Sequence, residues 1–184
     1  MKTGLDWTSM NEPLSELLTE LGISLMWLTG YFTAARTGPG SPKPLGWLND
    51  EKQALLRRRS GSRRQLLDCY DEIGEQMKAN IAVVCPAPDD TQGIVDFCRG
   101  YLEAVRSDKA WPFEESGDPH DPPQAVLFVF QALAHEISRP DLPDHLRGEL
   151  MEVWRDRERP RLSVHVSYLY EYWADVRRAR RESP

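Results

Sequence analysis

An all-α fold is predicted: one multi-helix domain with a C-terminal helical extension. Three observations predict it. Apolar residues recur at helical spacing along nearly the whole chain. Capping residues and Gly/Pro breaks fall between the periodic segments. The one β-like run, Ile81-Ala82-Val83-Val84, is too short and isolated to support a sheet.

Each element follows from its residues. Leu14, Leu17, Leu18 and Leu21 keep the i, i+3, i+4, i+7 spacing of a helix, with Ser9-Met10-Asn11-Glu12 in capping-box form and Gly22 as a stop. Leu25 to Ala35 is apolar nearly all round, which predicts a buried central helix ended by Gly38-Pro39-Gly40. A Pro/Gly-rich loop runs to Trp47, and Asn49 or Asp50 begins a helix finishing in Arg57-Arg58-Arg59. Ser60-Gly61-Ser62 breaks the chain, Ser62-Arg63-Arg64-Gln65 has capping-box form, and Leu66, Tyr70, Ile73 and Met77 make the next stripe. Asp90 is placed to cap an amphipathic helix presenting Ile94, Phe97, Cys98, Tyr101, Leu102 and Val105 on one face. An acidic, proline-bearing loop spans Trp111 to Pro123. Asp121 precedes Pro122 at a helix start, and the run from Val126 to Ile137 is too long for a strand and is expected to be a buried helix. Leu146, Leu150, Val153 and Trp154 predict a helix stopping before Pro160. The last helix turns Leu162, Val166, Leu169, Trp173 and Val176 inward and ends in Arg177, Arg178, Arg180 and Arg181.

The chain has 184 residues, 40% of them hydrophobic and 28% charged, enough apolar material for a core and incompatible with wholesale disorder. A net charge of −6 argues against a surface built throughout for nucleic acid or anionic lipid. No apolar run reaches the ~18–20 residues of a membrane span. The first residues lack a signal-peptide pattern, and Cys69, Cys85 and Cys98 stand in no disulfide or metal spacing, so a cytoplasmic protein is expected.

One local pattern occurs twice. Gly30-Tyr31-Phe32-Thr33-Ala34-Ala35-Arg36 and Gly100-Tyr101-Leu102-Glu103-Ala104-Val105-Arg106 both read Gly-Tyr-apolar-x-Ala-apolar-Arg. A glycine inside a helix costs about 0.5–1 kcal/mol relative to alanine. The offsetting gain is expected to be close approach of the two helices, with the tyrosines flanking the contact.

These residues also carry a resemblance. The segment from Leu28 to Pro39 (with Gly30, Tyr31, Phe32, Ala34, Gly38 and Pro39) and the following Pro44-Leu45-Gly46-Trp47-Leu48 resemble the N-terminal signature of the YecA/YgfB family of bacterial proteins. Phe97-Cys98-Arg99-Gly100-Tyr101-Leu102 and Trp111 resemble its second signature. The resemblance implies an all-helical, YgfB-like bundle of bacterial origin, with a family-like core over 1–111 and an extension over 112–184 packed on it. The motif residues are structural, and the family implies little chemistry. Many YecA-type members end in a cysteine-rich zinc motif; nothing after Cys98 supplies thiolates here, so the shorter branch is the nearer comparison.

No residues are assigned a catalytic, cofactor-binding or metal-binding role. Glu114, Glu115, Asp118, His120 and Asp121 gather possible cation ligands in one loop, but without EF-hand spacing and stiffened by Pro119, Pro122 and Pro123. His135-Glu136 lacks the second histidine of His-Glu-x-x-His, and His145 and His165 are dispersed. Arg57-Arg58-Arg59 with Arg63-Arg64 offers a basic patch for phosphates, although helix ends and an acidic background favour a solvated surface. Of the six tryptophans, Trp7 and Trp47 fall in loop-like segments; left partly exposed they would be natural anchors for a partner, and core packing or loop pinning explains them equally well. The expected function is a non-enzymatic interaction or regulatory module binding a protein partner or a second copy of itself. The alternatives are a metal-dependent enzyme using the 114–121 loop and a nucleic-acid accessory protein using 57–64.

Overall fold

A computed structural model describes residues 12–40, 43–111, 122–136 and 144–182, and among them every regular element is helical. Helix α1 (Glu12–Leu21) buries its four leucines. Gly22 stops it at φ +68°, with Ile23 N–H reaching back to the Leu18 carbonyl at 3.1 Å, a Schellman ending. Ser24 then caps α2 (Leu25–Thr37) by accepting from Trp27 N–H at 3.1 Å. Residues 28–35 of α2 are all buried, as its uniformly apolar composition predicts.

Helix α3 (Asp50–Arg58) starts at Asn49, whose side chain accepts from Lys52 N–H. Helix α4 (Ser62–Ala79) differs from expectation at its start. The N-cap is Gly61, at φ +84° and with no side-chain cap, while Ser62 lies inside the helix and is buried. Only glycine takes this left-handed corner readily, so the backbone requirement of the turn prevails over the capping-box pattern. Ile81–Val84 forms a single 3-10 turn. Asp90 caps α5 (Thr91–Ser107), its carboxylate accepting from Gly93 N–H at 2.9 Å.

Helix α6 (Pro122–Leu133) begins on proline, whose absent N–H is no loss in a first turn. It ends earlier than the run to Ile137 predicts. His135 takes φ +59°, and the Glu136 and His135 N–H groups return to the Gln131 and Ala132 carbonyls. That is another Schellman ending, here with histidine where glycine is usual. Arg99 and Arg155 donate to the Ala134 and Ala132 carbonyls, fixing the stop. Helix α7 (Asp144–Glu158) leads through the 3-10 turn Arg159–Arg161 into α8 (Leu162–Glu182). Leu162, Val166, Leu169 and Trp173 face inward as their spacing predicts, and His165 falls in the first turn of α8. Trp7, Ser9–Asn11 and the acidic loop at 114–121 lie outside the described residues.

The centre of the fold is the pairing of α2 with α5. A Cβ built on Gly30 would stand 2.0 Å from the Phe97 carbonyl oxygen, and one on Gly100 would stand 1.9 Å from that of Trp27. Each glycine therefore receives the backbone one turn before the other, and the relation is reciprocal. The hydroxyls repeat the symmetry: Tyr101 meets Thr37 at 2.8 Å and Tyr31 meets Ser107 at 3.4 Å. Thr37 and Ser107 donate to the carbonyls of Ala34 and Ala104, so each tyrosine is left to donate to them. The repeated sequence pattern is thus a local two-fold waist.

Apolar residues of α6 and α8 join the same continuous core. Phe130 stands edge-on to Tyr101 with centroids 4.6 Å apart, and Trp173 stands edge-on to Trp111 at 5.2 Å. Arg177 of α8 donates to the carbonyls of Thr37 and Gly38, fastening the C-terminal helix to the end of α2.

Candidate interaction groove

The family-like motif residues converge, and they converge on the core. Gly30, Tyr31, Phe32, Ala34, Phe97, Gly100, Tyr101 and Leu102 form the buried waist. Gly38 lies beneath the Trp111 indole, where an added Cβ would come within 2.7 Å of Nε1, and Pro39 is buried beside it. Burial pushes the pKa of both tyrosine hydroxyls up, which suppresses their ionisation and keeps them neutral donors. None of these side chains is placed to meet a ligand.

Trp47 is half-buried and packs inward, edge-on to Trp27 at 5.3 Å and to Tyr31 at 6.2 Å, with the Lys52 ammonium 5.1 Å from its ring centre. Its role is to pin the loop that precedes α3. That pinning creates a feature the sequence pattern does not announce. Gly46 N–H bonds to the Lys43 carbonyl and Leu48 N–H to that of Leu45, while the Gln53 amide donates to the Leu48 carbonyl. The folded loop, the outer face of α3 and the first turns of α4 then enclose an open groove of about 520 Å³. This lies in the ~300–1,000 Å³ range of ligand sites.

The groove has an aliphatic floor of Leu45, Leu48, Leu56 and Leu67. Its rim carries Lys43 from the loop, Arg57 from α3 and Arg63 from α4, all exposed. Among the described residues these three cations make no ion pair; nearby, Arg59 is held by Glu16 and Glu20 and Arg64 by Asp68, while Arg58, also without an ion pair there, is exposed outside the groove lining. Arg57 lies at the favourable C-terminal end of α3. Arg63 sits in the first turn of α4, where the helix dipole disfavours a cation and no acidic residue compensates. The expectation that helix ends account for the basic clusters therefore fails for Arg63. The Arg57–Arg64 cluster was visible in the sequence; the leucines beneath it looked like ordinary core, because loop, α3 and α4 meet only in three dimensions.

The other titratable clusters belong to junctions. Glu158 is buried at the α7–α8 corner with His165 Nε2 at 3.0 Å, Arg157 Nε at 3.2 Å and Arg161 Nη1 at 3.6 Å. Burial pushes its carboxyl up, but hydrogen bonds from His165 and Arg157 and the nearby charges more than reverse this, and the net shift is downward. Arg106 pairs with Glu136 beyond the end of α6. His135 is exposed in its turn, and the side chain of His145 and all of His120 lie outside the described residues. Burial raises the thiols of Cys69 and Cys85 to about 12 and that of Cys98 well above its ordinary value. Among the described residues no group of three or more His, Cys, Asp or Glu is disposed to hold a metal, and no helix is long and apolar enough to cross a membrane.

No protein-family model, no curated protein and no solved structure matches this chain.

Proposed function

We propose that this protein is a non-enzymatic protein-interaction module that works through the groove between the Lys43–Leu48 loop, α3 and α4, and that it is a cytoplasmic member of the short YecA/YgfB branch. The observation that carries the interaction reading is the coexistence of an aliphatic floor with three cations that have no ion-pair partner among the described residues, on a chain of net charge −6. Solvent-exposed charge beside open apolar surface is the composition of a recognition rim around an anchor site. The residues bearing the family resemblance form the waist that orders this loop through Trp47, which supports treating them as scaffold.

The test is cross-linking of the purified chain in bacterial lysate, with wild type and the double variant Arg57→Glu/Arg63→Glu run in parallel. Proteins captured by wild type and lost from the variant are the expected result. Capture of the same set by both, or of nothing above a control protein, contradicts the proposal.

A further inference from the structure

We infer that the groove takes a short acidic peptide segment whose carboxylates flank large apolar side chains, presented by a protein partner. This rests on the interaction reading above and adds the chemistry of what is recognised. Charge complementarity selects the sign. Lys43, Arg57 and Arg63 come from three different elements and line the same groove, and none has a carboxylate partner among the described residues. Apolar complementarity selects the anchors. Leu48 and Leu56 are already buried and cannot recede further, while Leu45 and Leu67 remain half-exposed and gain most from being covered.

The lining also argues against nucleic acid. Single strands are held by aromatic platforms along a continuous cationic track. This groove is lined by no aromatic ring, and four leucines stand in the same lining as its three cations. Gln53 is the one uncharged polar side chain in the lining, and its amide N–H already serves the Leu48 carbonyl, leaving its oxygen to accept from a peptide N–H.

The experiment is fluorescence anisotropy of the full chain with three labelled peptides and an oligothymidylate. One peptide has glutamates flanking two leucines; in the second the leucines become serines; in the third the glutamates become glutamines. The first peptide is expected to bind, each altered peptide to bind at least about tenfold more weakly, and Arg57→Glu/Arg63→Glu to weaken the first by about tenfold or more. Equal binding of all three peptides overturns the inference. So does preferential binding of the oligonucleotide, or wild-type affinity in the charge-reversed protein. Self-association that the double variant abolishes, without peptide binding, assigns the groove to a second copy and also overturns it. Because the peptide substitutions leave the protein untouched, a misfolded variant does not remove the test. If lysate capture depends on Arg57 and Arg63 while the acidic peptide fails, the chemistry proposed here falls and the interaction reading stands.

Discussion

Replacing Gly100 by alanine adds one methyl group, and its cost is set by what that methyl meets. The new Cβ would lie 1.9 Å from the Trp27 carbonyl oxygen, where real Cβ atoms keep at least 3.0 Å. The obstacle is backbone, so no side-chain rotation relieves it, and α2 and α5 must separate by about 1 Å. Overpacking of this kind costs about 1–3 kcal/mol, and a displaced helix pair belongs at the upper end. Alanine returns about 0.5–1 kcal/mol in helix propensity. The expected net loss is about 2 kcal/mol, or a melting temperature about 4–8 °C lower for a chain of this length. Urea titration followed by circular dichroism measures it. Gly148→Ala is the control, since that helical glycine is exposed with open space around its Cβ, and alanine there is expected to stabilise by about 0.5–1 kcal/mol. If Gly100→Ala stabilises as Gly148→Ala does, the close approach of the two backbones is refuted.

Three further outcomes follow from the geometry. Glu158 ionises more readily folded than unfolded, so its contribution is present above its ordinary value of 4.5 and is lost as pH falls through the lower folded value. The stability gap between wild type and Glu158→Gln should therefore shrink on acidification below about pH 4.5 in denaturant titrations, and a constant gap contradicts the assignment. The raised thiols of Cys69 and Cys85 leave thiolate on the order of a thousandfold rarer than at the ordinary value of 9.0. A thiol reagent should label the buried Cys69 and Cys98 only as the protein unfolds, and rapid native labelling of either contradicts the burial. His135 holds a left-handed conformation while its side chain is exposed, so His135→Gly is expected to stabilise by about 1 kcal/mol, read as a higher urea midpoint.

Much of this architecture is legible in the chain because its signals are local. The leucines of α1 and the inward residues of α8 follow from 3.6-residue periodicity alone, and Ser24, Asn49 and Asp90 cap as their chemistry requires. The pairing of α2 with α5 was readable from a less common clue, two glycines in matching patterns where helix propensity opposes them. The start of α4 and the end of α6 were not, since left-handed residues at Gly61 and His135 answer to tertiary anchoring rather than to capping patterns. The groove was least legible. Arg57 and Arg63 declare themselves, but Lys43 and Leu45 reach the same place only because Trp47 folds the loop back onto α2.

The reciprocal backbone contact between α2 and α5 organises everything else described, including the loop that shapes the groove. Nuclear Overhauser spectroscopy reads it directly. Cross-peaks between the α-protons of Gly30 and Phe97, and between those of Gly100 and Trp27, are the expected result, since an added Cβ would lie 3.0 Å and 3.1 Å from the facing Cα atoms. Their absence in spectra that resolve the ordinary intrahelical peaks of the same residues contradicts the waist and the fold built on it.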